Sequence, residues 1–151
     1  MLTNKPRIVF DTNALLSAFI LPSSVSGKAW RIGLLNFEVV TSAAVMEEFE
    51  RKTNKQGLKK YFPTEAERIE IAGTMARSML YVEIESVIGD CDDDDDNKFL
   101  ELAFDSRAVV IVSGDRDLKV LDPWRKIRIL GTSDFVRQFN AGPLFDKAKR
   151  L

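Results

Sequence analysis

No histidine occurs anywhere in the 151 residues of this chain, and there is one cysteine, Cys91. The first absence removes Ser-His and Cys-His nucleophile pairs and histidine-based acid–base chemistry. It also removes the usual ligand for zinc, copper and nickel. A single cysteine excludes an internal disulfide and a cysteine zinc cage. With no histidine to activate it, Cys91 reads as an ordinary thiol. No apolar run approaches the length of a membrane span, and Met1 to Lys5 do not open a signal peptide, so the expectation is a cytoplasmic protein that does not enter a membrane.

What remains for chemistry is carboxylates, hydroxyls, lysines and arginines. Carboxylates without histidine favour hard cations, Mg²⁺ or Mn²⁺. Acidic and basic residues nearly balance, 23 against 22, for a net charge of −1, so the chain as a whole is not a basic nucleic-acid binder. The charge is nevertheless uneven. Asp90 and Asp92 to Asp96 form an acidic block, while Lys52, Lys55, Lys59 and Lys60 form one basic patch and Arg116, Lys119, Arg125, Lys126 and Arg128 another. Such runs are often solvated faces. Their separation could also hold a polyanion's phosphates beside a metal-binding pocket, with Lys52, Lys55, Arg116 and Lys119 as candidate contacts.

Strand and helix patterns alternate along the chain. Ile8 to Phe10 reads as a strand ending at Asp11, followed by a helix from Asn13 to Ile20 that Pro22 breaks. A second helix is expected over Ser26 to Leu35, a strand over Phe37 to Thr41, and a Ser42-capped helix to about Lys52. After a basic connection from Lys55 to Phe62, Pro63-Thr64 begins a helix over Glu65 to Leu80, with Ile69, Ala72, Met75, Ala76 and Met79 as its apolar stripe. Tyr81 to Ile84 reads as the third strand, and the aspartate block caps a helix to Ser106. Ala108 to Val112 is a strand buried on both faces. A helical turn near Leu118, a strand over Ile127 to Leu130, and a Thr132-capped helix to Phe139 complete the pattern, and Asn140 to Pro143 end it. The expected fold is α/β with a mostly parallel central sheet, in one domain over residues 1–151, with a core at 7–139 and a tail at 140–151.

Such sheets bind ligands beyond the carboxyl ends of their strands. Asp11 ends the first strand, and Asp115 follows the fourth after Ser113-Gly114. In the helix after the acidic block, Phe99, Leu100, Ala103 and Phe104 mark the buried face. Asp96 falls near its centre and Asp94 nearly opposite. A carboxylate on a buried stripe is costly unless something such as a metal compensates it. Against Val45, Met46 and Phe49, Glu47 points to solvent and Glu48 lies at the stripe's edge. The bland alternatives are a strand-end turn for Asp11 and Asp115, a helix cap for Asp96 and a surface side chain for Glu48. Asp117 reads as a supporting acid or a helix cap.

Four motifs in order carry a resemblance: Val9-Phe10-Asp11-Thr12-Asn13; Ser42 to Glu48-Phe49; Asp96-Asn97-Lys98-Phe99-Leu100-Glu101-Leu102-Ala103; and Val112-Ser113-Gly114-Asp115-Arg116-Asp117-Leu118. The sequence resembles the PIN-domain nucleases over about Arg7 to Phe139, and within them the VapC-like toxin components of toxin–antitoxin pairs. That resemblance implies a three-layer α/β/α domain with strand order 3-2-1-4-5 and a Mg²⁺- or Mn²⁺-dependent endoribonuclease. It maps an acidic metal-binding quartet onto Asp11, Glu48, Asp96 and Asp115, with Asn13 and Ser113 orienting carboxylates or water. Ser113 stands where threonine is common and keeps the hydroxyl. The implied partners are an RNA substrate and a cognate antitoxin protein. Apolar residues in the early helices and in the helix over Glu65 to Leu80, with the dimerisation common in the family, add a homodimer.

Two other readings stay open on the sequence. A haloacid-dehalogenase-type phosphatase also places an aspartate at the end of strand 1, but its Asp-x-Asp would need a second acid where Asn13 stands. A degenerate PIN scaffold would bind RNA or a protein partner without catalysis.

Overall fold

In a computed structural model of the chain, residues 4–61 and 64–140 are described. Five strands form one parallel sheet: β1 Arg7–Phe10, β2 Glu38–Thr41, β3 Leu80–Tyr81, β4 Val110–Val112 and β5 Arg128–Leu130. Their order is β3-β2-β1-β4-β5, as the resemblance implied. The register pairs Val9 with Val40 on one side and with Ile111 on the other, so β1 is central. Consecutive residues Ile8, Val9 and Phe10, and likewise Val110, Ile111 and Val112, are buried. Both faces of the sheet are therefore covered, the condition for a parallel sheet.

The helices are α1 Thr12–Ile20, α2 Val25–Asn36, α3 Ala43–Thr53, α4 Glu65–Arg77, α5 Asn97–Ser106, α6 Arg116–Lys119 and α7 Thr132–Phe139. Side-chain oxygens of Asp11, Ser24, Ser42, Thr64 and Asp115 cap α1, α2, α3, α4 and α6 by accepting a backbone N–H from the first turn. The ring of Phe10 meets Trp30 and Phe135 edge-on, binding α2 and α7 over the centre of the sheet. Gly33 is required there, since a Cβ would come within 2.8 Å of the Phe10 ring.

Several expectations need correction. The third strand is Leu80–Tyr81, not Tyr81–Ile84, and α4 ends at Arg77 rather than Leu80. The early end of β3 is explained by α5, which presents Asn97, Glu101 and Asp105 at four-residue spacing along one face. Asp105 Oδ2 accepts the N–H groups of Glu85 and Ser86, at 2.7 and 3.0 Å. Glu101 Oε2 accepts that of Ile88 at 3.0 Å, and Asn97 Oδ1 that of Cys91 at 2.9 Å. Val82 still donates its N–H to the Thr41 carbonyl of β2 at 2.9 Å, but from Glu85 onward these backbone N–H groups are satisfied on helix side chains. Burial opposes ionisation of Asp105, but the Ser86 and Glu85 bonds outweigh it and hold its pKa low.

Phe104, expected on the buried face of α5, is 45% exposed, and Leu102 is buried in its place. Ile69, expected in the apolar stripe of α4, is 65% exposed. Gly131 rather than Thr132 occupies the cap position of α7. Among the described residues of the Lys55 to Phe62 connection, only Gln56–Leu58 forms a helical turn, of the 3-10 type. The expected stop at Gly142-Pro143, the tail beyond it and the start of α4 at Pro63 lie outside the described residues. No helix among the described residues is long and apolar enough to cross a membrane.

Candidate active site

The carboxyl ends of β1 and β4 open into a cleft of about 540 Å³ lined by Asp11, Asn13, Ser17, Asp115, Arg116 and Asp117 among others. Asp11 leaves β1 as the cap of α1, its Oδ1 accepting the Ala14 N–H at 2.7 Å. Its Oδ2 accepts the Ser113 hydroxyl at 2.5 Å, and the same Ser113 oxygen accepts the Asp115 N–H at 3.0 Å. Ser113 is fully buried and Asp11 nearly so. One hydroxyl therefore fixes both the first carboxylate and the backbone carrying the other. Asp115 in turn caps α6 by accepting the Asp117 N–H at 2.8 Å, so the cap role belongs to Asp115 and not to Asp117.

Asp96 enters from the other side, at the end of a 3-10 turn over Asp94–Asp96 that leads into α5. Its Oδ2 is shielded from solvent and accepts no hydrogen bond. Burial, the charges of Asp115 and Asp93, the chance to donate a proton to Asp115 and the charge of Asp11 together push its pKa up to about 7. Burial also raises the pKa of Asp11, and Asp115 adds to the rise. The Ser113 and Ala14 hydrogen bonds and the Lys52 charge oppose it. Three aspartates from three segments of the chain thus repel one another across one space. By contrast Asp94 is exposed, its Oδ1 accepting the Asn97 side-chain amide at 3.1 Å.

Glu48 stands apart from this trio. It is 7% exposed, whereas its neighbour Glu47 is open to solvent. Lys98 Nζ donates to Glu48 Oε2 at 2.5 Å, and Lys52 Nζ lies 3.6 Å from Oε1. Burial opposes its ionisation, but the hydrogen bond from Lys98, the nearby Thr12 hydroxyl and the two lysine charges outweigh it and lower its pKa.

Against known proteins, residues 7–117 match the family model described as PIN domain. The chain belongs to the PIN domain family. A relative from Methanocaldococcus jannaschii, an uncharacterized protein, is 31% identical over 116 residues, which cover 76% of this chain and 74% of that one. Among solved structures, the VapBC2 complex of Rickettsia felis, bound to a DNA fragment from its promoter, superposes with a TM-score of 0.58. The identity is 10%, with 83% of this chain and 98% of that one covered, a likeness of fold alone. PIN domains are generally nucleases.

In this PIN domain, the residues expected at the site are gathered unevenly. Asp11, Asn13, Asp115, Arg116 and Asp117 line the cleft, and Asp96 faces Asp115. Lys52 reaches the cleft's edge by donating to Asn13 Oδ1 at 3.0 Å. Lys55 is exposed beyond the end of α3, and Lys119 is exposed on α6; neither lines the cleft. Lys98 is a site residue that its sequence pattern did not single out. Only its place two residues after Asp96 hinted at it. Cys91 is buried, and burial raises its thiol pKa.

Proposed function

We propose that this PIN domain is a metal-dependent endoribonuclease whose ion-binding residues are Asp11, Asp96 and Asp115. The observation that carries the reading is the convergence of these three aspartates beyond β1 and β4, with a shielded, unpartnered oxygen on Asp96. The donor set fits a hard divalent cation, Mg²⁺ or Mn²⁺, since every available ligand atom is oxygen. Among the described residues no three such side chains are already gathered round one ion position. Each carboxylate nevertheless keeps lone pairs beyond the bonds it makes, and an ion would relieve their repulsion.

When bound, such an ion would lower the pKa of water and stabilise negative charge on the oxygens of the attacked phosphate. The chain's own residues do the rest. Ser113 holds Asp11 in one orientation and ties it to the Asp115 backbone. Asn13 and Arg116 line the cleft and face the RNA backbone, and Lys119 and Lys55 extend the basic surface outward. Contacts of this kind position phosphates without reading sequence. Hydrolysis in this reading leaves a 5′-phosphate and a 3′-hydroxyl.

The fold shared with the VapBC2 complex supports a narrower reading, the toxin of a toxin–antitoxin pair with a cognate antitoxin as partner and a homodimer as its working form. A small DNA-binding protein encoded next to this chain, and co-purifying with it, would support that reading; its absence would leave the plain nuclease. The nuclease itself is tested by cleavage of labelled RNA with and without EDTA.

A further inference from the structure

The acidic residues expected to act as one quartet fall into two electrostatic classes. Asp11, Asp96 and Asp115 each feel another carboxylate, and Glu48 is held by cations. Lys98 on α5 and Lys52 on α3 both reach Glu48, and Lys52 also bonds Asn13 at the cleft. The three side chains are well shielded: 10% exposed for Glu48, 17% for Lys98 and 24% for Lys52. At Glu48 one carboxylate faces two ammonium groups, so one positive charge there is not neutralised by Glu48, and the Lys52 charge also acts on Asp11. Each ammonium has three N–H donors. Lys98 donates one to Glu48 and Lys52 one to Asn13, so both keep donors to spare. Surplus charge with spare donors, fixed beside a cluster of aspartates, suits a phosphate oxygen.

We propose that Glu48 is not a metal ligand but the holder of a two-lysine phosphate seat, with Lys98 and Lys52 gripping the phosphodiester next to the three aspartates. The seat's substrate rests on the nuclease reading above; the role of Glu48 does not. The consequence is a pair of effects with opposite signs. Removing Lys98 takes a cation away from the ion-binding carboxylates and frees Glu48, so divalent binding tightens. The same change removes a donor from the phosphate, so cleavage slows.

The test compares wild type with Lys98→Met, Lys52→Met, Glu48→Gln and Asp96→Asn. Mn²⁺ affinity is read from the free-ion EPR signal, cleavage of labelled RNA is measured at saturating Mn²⁺, and a melting curve controls for folding. Each lysine variant should bind Mn²⁺ about threefold more tightly or better and cleave roughly 100-fold more slowly. Glu48→Gln should weaken Mn²⁺ by no more than about 10- to 100-fold, the scale of an outer partner, and keep saturable binding, while Asp96→Asn abolishes it. Should Lys98→Met fail to fold, Lys52→Met, at the more open lysine, carries the test. Glu48→Gln losing Mn²⁺ as completely as Asp96→Asn would overturn the assignment, as would lysine variants that cleave at the wild-type rate. A wild type that binds Mn²⁺ and leaves RNA intact would sink the nuclease reading and the phosphate seat with it. The Mn²⁺ ranking would still decide whether Glu48 is a ligand.

Discussion

Replacing Asp96 by asparagine should make the metal-free protein more stable while disabling it. Asp96 has an ordinary carboxyl pKa of 3.8 when unfolded and one of about 7 in the fold, because of burial and the repulsion of Asp115, Asp93 and Asp11. Between those two values the folded chain binds more protons than the unfolded one. Stability without metal therefore falls as pH rises through that window, and the loss is complete above about pH 7. The nominal cost of ionising Asp96 is about 4 kcal/mol. Its side chain is partly open to water, so screening reduces this to about 1–2 kcal/mol. For a chain of this size that amounts to roughly 3–6 °C in melting temperature. Thermal melts followed by circular dichroism in EDTA should place Asp96→Asn higher than wild type by that amount at pH 8. The gap should close towards pH 4, where wild-type Asp96 is protonated. Added Mn²⁺ should then raise the wild type and leave the variant unmoved. A variant that melts lower than wild type at pH 8, or a gap that ignores pH, would refute the picture of Asp96 as a strained member of a repelling cluster.

Asp94→Asn should keep most activity, because Asp94 is exposed and bonds only locally to Asn97; RNA cleavage rates beside those of Asp96→Asn check the register. Ser113→Ala should lose about 1–3 kcal/mol of stability by leaving the buried Asp11 oxygen without its donor, and at least tenfold in cleavage, measured by urea melts and single-turnover rates. Asn97→Ala should cost a similar 1–3 kcal/mol, since Asn97 both accepts from Cys91 and donates to Asp94. Faster hydrogen exchange confined to residues 88–96 would locate that effect. The homodimer is checked by light scattering at micromolar concentration, where a monomer would reject it.

The alternation of strands and helices was readable because the central strands are short apolar runs. Ile8 to Phe10 and Val110 to Val112 are buried on both sides and admit little else. The edge was not readable. Val82 and Ile84 look like strand residues and pack partly against the core, yet only the Val82 N–H still reaches β2, and from Glu85 onward the segment is bonded to the side-chain ladder of Asp105, Glu101 and Asn97. A helix face made of backbone-capping acids looks in sequence like an ordinary solvated face. Asp96 could be singled out among five aspartates because the helical pattern of α5 has to be carried back only one residue from Asn97, even though Asp96 itself lies in a 3-10 turn. Glu48 was distinguishable from Glu47 by the same geometry. What no periodicity could show is that Lys98, fifty positions away, would meet Glu48. That contact exists only once α3 and α5 are brought together.

In the proposed function, three aspartates at the ends of β1, β4 and the acidic loop hold the ion for RNA cleavage by this PIN domain. That proposal is decided by cleavage of end-labelled RNA by purified wild type and Asp11→Asn, in Mn²⁺ or Mg²⁺ and again in EDTA. Wild type with metal should make internal cuts that leave 5′-phosphate ends, and none should appear in EDTA or with the variant. RNA left intact by a folded, Mn²⁺-binding wild type, or cleavage undiminished by EDTA and by Asp11→Asn, would contradict it.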